Sequence, residues 1–109
     1  MVNKYIPEKG DICWASLDPT LGHEQKGRRP VLVVSKSEYN KLSGLAIICP
    51  ITSVIKMYPY EVRVTNKGVV LADHLRSASW EERNLKFITQ IPDEILLDVL
   101  NKIKILLDI

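Results

Sequence analysis

Up to Pro92, apolar residues come in short runs separated by polar stretches punctuated with Gly and Pro; beyond it they recur at helical spacing. Residues 12–17 form the first run with strand character. Residues 30–35 form the second, β-branched and apolar, with Pro30 at the first strand position. Residues 45–52 make a third strand, bent or ended near Pro50. The polar connection at 37–44 has room for one helical turn. After a turn at 56–59, residues 60–65 alternate apolar and charged side chains, as a half-exposed strand does. Asn66, Lys67 and Gly68 make a tight turn into residues 69–72, so these two segments pair as a hairpin. Residues 76–91 hold one or two short strands. From Pro92 onward, Leu96, Val99, Leu100, Ile103, Leu106 and Leu107 line one face of a helix. Pro92 suits its first position, and Asp93 and Glu94 put negative charge where the helix dipole favours it. Several short strands followed by one amphipathic helix predict a mainly β (α+β) fold. Its form is a small, strongly bent antiparallel sheet capped by a C-terminal helix.

A chain of 109 residues fits one domain over 1–109. A domain of this size buries roughly 60–70% of its unfolded surface, so pairing with a second copy would help it. At 46% hydrophobic residues it is too apolar to be disordered. No apolar run approaches the roughly 18–20 residues of a membrane span. Residues 1–7 carry no apolar signal core. Cys13 and Cys49 lie far apart, with no CxxC pair and no His cluster, which argues against a structural zinc site or a disulfide scaffold. The expectation is a reduced, cytoplasmic protein with no metal site. A net charge of +2 is too small for a bulk polycation, so nucleic-acid binding requires a local patch.

Such a patch stands at residues 18–29. Most hairpin loops have roughly 2–5 residues, and longer structureless ones are usually functional or disordered. This one gathers His23, Glu24, Lys26, Arg28 and Arg29, with Gly22 and Gly27 to let the backbone bend or approach a ligand. Charge runs are usually solvated surface. Arg29 is better placed than that, because it directly precedes the proline that enters a buried strand. A guanidinium anchored there suits bidentate binding of phosphate. Thr52 ends the third strand, where threonine is ordinarily just a good strand residue; its hydroxyl matters only if that strand lies beside the second, near Arg29. Asp73 follows an apolar run, the usual place for a turn-forming aspartate. Trp14 alternates with Ile12 on one strand face and is expected in the core. Trp80, beside Glu81 and Glu82, is the more exposed candidate for stacking on a base.

Several stretches together carry a resemblance. They are Gly10 to Trp14, Leu17 to Thr20, the motif Gly22-His23-Glu24-Gln25-Lys26-Gly27-Arg28-Arg29-Pro30, and Pro50 to Ser53. The likeness continues through Tyr58 to Val62, Gly68 to His74, and Arg76-Ser77. In order and spacing the chain resembles the MazF/PemK family of toxin endoribonucleases over nearly its whole length. The resemblance implies an SH3-like barrel with a terminal helix. It implies metal-independent, sequence-specific cleavage of single-stranded RNA, mainly messenger RNA, without a cofactor. It implies a homodimer, neutralised by an antitoxin whose acidic C-terminal segment covers the RNA groove. By position, Arg29 and Thr52 match the family's catalytic pair, and Glu24 matches a residue important in MazF-like members. His23 matches a catalytic or RNA-contacting histidine of Kid-like members, and Asp73 an aspartate of theirs. Leu71 stands where those members carry an arginine, so His23 is assigned here to RNA contact, with Asp73.

Metal-free RNA cleavage uses the neighbouring 2′-hydroxyl as nucleophile. It needs a base for that proton, an acid for the 5′-leaving oxygen, and donors for the charge developing on phosphorus. Arg29 can hold that charge and Thr52 can donate to a non-bridging oxygen. Glu24 is the candidate base, or the group that orients one, His23 could serve as the acid, and Lys26 and Arg28 position the backbone. Two other readings compete: a non-enzymatic toxin of the same fold acting on a protein such as DNA gyrase, and an RNA-binding barrel that does not cleave. Arg29, Thr52 and Glu24 would have no joint task in the first of these.

Overall fold

The computed structural model describes residues 4–17, 28–65 and 68–109. Among them are seven strands and two helices: β1 (Asp11–Ser16), β2 (Arg28–Val33), α1 (Ser37–Ser43), β3 (Leu45–Thr52), β4 (Glu61–Thr65), β5 (Gly68–Leu71), β6 (Arg76–Ser79), β7 (Lys86–Gln90) and α2 (Asp93–Leu107). All pairings are antiparallel, in the order β4-β5-β3-β2-β1-β7, with β6 also on β3. The result is a curled half-barrel with a C-terminal helix, the class that the periodicity predicts.

The curl turns on β3. Its first half pairs β6 from Leu45↔Ser79 to Ile48↔Arg76, and Ile48 to Pro50 pair β2. Beyond Pro50 the strand pairs β5 instead, through Ile51↔Val70 and Thr52↔Val69. Pro50 therefore bends the strand without ending it, and delivers Thr52 to the seam between the two halves of the sheet.

The continuous apolar run of β2 has a plain cause. Leu32 is buried in one core cluster, with Ile12, Cys49, Val70 and Val99, while Val31 and Val33 are buried in another, with Cys13, Ala15 and Ile48. A strand covered on both faces loses the alternation of a half-exposed one. Ile95, Leu96, Leu100 and Ile103 of α2 close the first cluster. Pro92 stands one position before the helix, not within it; its carbonyl accepts from the amides of Ile95 and Leu96, both at 3.0 Å. Cys13 and Cys49 are both free and buried, one in each cluster.

Both tryptophan expectations are reversed. Trp14 is 42% exposed and lies in neither cluster; the Arg28 guanidinium sits 5.9 Å from its ring centroid. Ile12, on the same face, is under the cover of the first cluster, and two residues further along that cover has run out. Trp80 is half-buried against the second cluster, and its indole N–H donates to the Asn40 carbonyl at 2.8 Å.

Asn40, fully buried in α1, joins three parts of the chain. Its amide donates to the carbonyls of Pro7 (2.8 Å) and Ser35 (3.1 Å), and its side-chain oxygen accepts from the Ser35 hydroxyl. Asn40→Ala strands a buried carbonyl and is expected to cost about 3 kcal/mol. Urea unfolding measures this; a loss under about 1 kcal/mol would contradict the assigned role.

Candidate active site

Arg28 and Arg29 are strand residues, not the end of a loop. They pair with Ser16 and Ala15 of β1, so β2 begins two residues before Pro30. Pro30 lies opposite Trp14, one residue ahead of the β2–β3 register, which starts at Val31↔Pro50. Extending that register by two residues sets Arg29 opposite Thr52. β3 has turned toward β5 there, and the space between holds a hollow of about 290 Å³ lined by Arg29, Pro30, Ile51, Thr52, Ser53 and Gly68. The guanidinium is anchored on rigid sheet at the mouth of this hollow. Thr52 Oγ1 accepts from the Val54 amide at 3.2 Å, which fixes the hydroxyl oxygen and leaves its proton as the part to be given.

Thr52 is also a wall of a second, larger cavity of about 700 Å³, shared with Lys56, Tyr58, Glu61, Asp73 and His74. Its rim is the β3–β4 connection. There the Glu61 carboxylate accepts from the Lys56 amide (3.1 and 3.2 Å) and the Met57 amide (3.0 Å), and Met57 takes a left-handed φ of 63°. Those bonds hold a backbone conformation that a non-glycine residue rarely adopts. Asp73 follows β5 and is half-buried; the neighbouring imidazole of His74 lies 3.8 Å away, Nε2 to Oδ1. The turn is fixed by the His74 amide donating to the Leu71 carbonyl at 3.1 Å and by Ala72 donating to Tyr60 at 3.0 Å.

The structure thus places Arg29, Thr52 and Asp73 along one surface, with Thr52 between the other two. Arg28 is held over Trp14, at the same end of the β1–β2 hairpin. His23, Glu24 and Lys26 lie outside the described residues. Sequence reasoning passed over Glu61 and His74, because their value depends on a cavity formed by three separate segments. Neither thiol serves as a nucleophile: burial pushes Cys49 up to about 12, with the Asp73 charge adding to it, and burial pushes Cys13 up to about 11.

Comparison with known proteins turns this geometry into a family assignment. Residues 8–107 match the model of the PemK-like, MazF-like toxin of type II toxin-antitoxin systems. The chain belongs to that family. It is 41% identical over 101 residues to the endoribonuclease toxin MazF of Escherichia coli strain K12, covering 89% of this chain and 91% of that protein. It is 34% identical over 110 residues to the endoribonuclease PemK of Escherichia coli, covering 92% and 81%. Its fold superposes on a chain of a MazE-MazF crystal structure from Deinococcus radiodurans with a TM-score of 0.87. The identity there is 39%, over 96% of this chain and 99% of that one. As a member of the MazF/PemK family, the chain carries its Arg29–Thr52 hollow on the half-barrel that those toxins share.

Proposed function

We propose that this protein is the endoribonuclease toxin of a type II toxin-antitoxin pair, cutting single-stranded messenger RNA at a short base motif and so arresting translation and growth in the cytoplasm. The observation that carries the reading is the hollow between Arg29 and Thr52. One permanent cation and one hydroxyl donor face each other there across a space open to a phosphate. The 2′-hydroxyl oxygen attacks phosphorus, its proton goes to Glu24, and the bond to the 5′-oxygen breaks, leaving a 2′,3′-cyclic phosphate and a 5′-oxygen that takes up a proton to become a hydroxyl. Arg29 holds the charge that develops on the non-bridging oxygens, and Thr52 donates to one of them. Lys26 and Arg28 grip the backbone, and His23 and Asp73 contact the RNA. No step calls on a metal or cofactor.

Two copies are expected to pair, and an antitoxin with an acidic C-terminal segment to occupy the groove, because the cations that hold RNA phosphates also suit a chain of carboxylates. Saturating a purified sample with such an antitoxin should abolish cleavage; undiminished activity of the complex would contradict the shared groove. The cellular test is induced expression followed by mapping of RNA 5′ ends. Expected are new ends at one short motif within minutes of arrest. Arrest without new ends would favour the toxin that acts on a protein target.

A further inference from the structure

We infer that His74, steadied by Asp73, is the general acid that protonates the 5′-leaving oxygen. This rests on the endoribonuclease reading and deepens it. The reaction needs a proton at O5′ when the P–O5′ bond breaks, and the described site offers few sources. Arg29 does not release a proton at physiological pH. The Thr52 hydroxyl is a hydrogen-bond donor rather than an acid. The Glu61 carboxylate is engaged by two backbone amides. Both thiols lie buried in the core clusters. His74 is the one imidazole among the described residues, and it lines the same cavity as Thr52.

Placement supports the assignment. An in-line displacement sets nucleophile and leaving group on opposite sides of phosphorus. Thr52 separates the Arg29 hollow from the cavity that holds His74. A phosphate bridged by Arg29 and Thr52 therefore has one side toward the Arg29 hollow and the other toward the cavity that His74 lines. The Asp73 carboxylate lies 3.8 Å from the ring, Oδ1 to Nε2. Nε2 is the ring nitrogen on the carboxylate side, and the proton on Nδ1 is the one delivered. The 2′-hydroxyl proton goes to Glu24, the imidazolium proton goes to O5′, and exchange with water resets both groups. The charged and titratable groups around the cavity are Asp73, Glu61, Lys56 and the Tyr58 phenol.

The test compares wild type with His74→Gln in single turnover at saturating RNA, on two oligonucleotides that differ only at the scissile bond. One has the normal 5′-oxygen; the other has sulfur there, a leaving group that needs no protonation. The normal RNA should react about 10²–10⁴-fold more slowly with the variant. Wild type should lose rate as pH rises, and the variant should not. The sulfur substrate should be cut by the variant at close to the wild-type rate. His74 is exposed, so the variant's unfolding midpoint should not move. A His74→Gln protein that keeps more than a tenth of the normal rate overturns the assignment, as does a slow variant that the sulfur substrate fails to rescue. Wild-type protein that cuts neither oligonucleotide overturns the endoribonuclease reading itself, and this inference with it.

Discussion

Arg29→Ala should lower the single-turnover rate of RNA cleavage by about 10²–10³-fold and abolish growth arrest, while the protein stays folded. The guanidinium is exposed at the mouth of the hollow, and its removal opens no cavity in the core. What it takes away is the fixed positive charge next to phosphorus. Arg29→Lys should restore only part of the rate, because an ammonium is a point charge that cannot make two parallel hydrogen bonds to one phosphate. A folded Arg29→Ala protein with more than about a tenth of wild-type activity would remove Arg29 from the catalytic machinery.

The second large effect belongs to the substrate. A single 2′-deoxy substitution in the nucleotide 5′ to the scissile phosphate should block cleavage of an otherwise ribose oligonucleotide. Binding should change little, since the backbone phosphates that Lys26, Arg28 and Arg29 grip are all still present. The reason is the identity of the nucleophile: without that hydroxyl nothing in the proposed site attacks phosphorus. Cleavage at the normal rate would mean that water or a side chain is the nucleophile, and the roles given to Glu24 and His74 would have to be rewritten.

Most of the architecture can be read from local pattern. β-Branched runs mark β2 and β3, alternation marks β4, and the 3.6-residue spacing after Pro92 marks α2, because each reflects which faces of one element are covered. Pattern fails where the extent of that cover decides. Trp14 shares a face with Ile12 yet lies beyond the first cluster, and Trp80 sits beside two exposed glutamates yet rests on the second. Asn40 gives no signal at all, since its side chain reaches a carbonyl 33 residues away. Pro30 suggests a strand start, but the β1 pairing runs two residues past it. Within the site, Arg29 and Thr52 are legible as types at the ends of strands, and their apposition follows only once β2 and β3 are known to be neighbours. Glu61 and His74 needed more, because the β3–β4 connection, β4 and the turn after β5 must all meet before either has a role. His23, Glu24 and Lys26 rest on sequence and family resemblance.

The measurement closest to the central claim is also the simplest. Purified protein is incubated with a defined single-stranded RNA in excess EDTA, and the products are resolved by size and end chemistry. Cleavage at one short motif should proceed undiminished, leaving a 2′,3′-cyclic phosphate on one fragment and a 5′-hydroxyl on the other. Intact RNA under these conditions, or cleavage that appears only when a divalent metal is restored, would contradict a metal-free endoribonuclease built on Arg29 and Thr52.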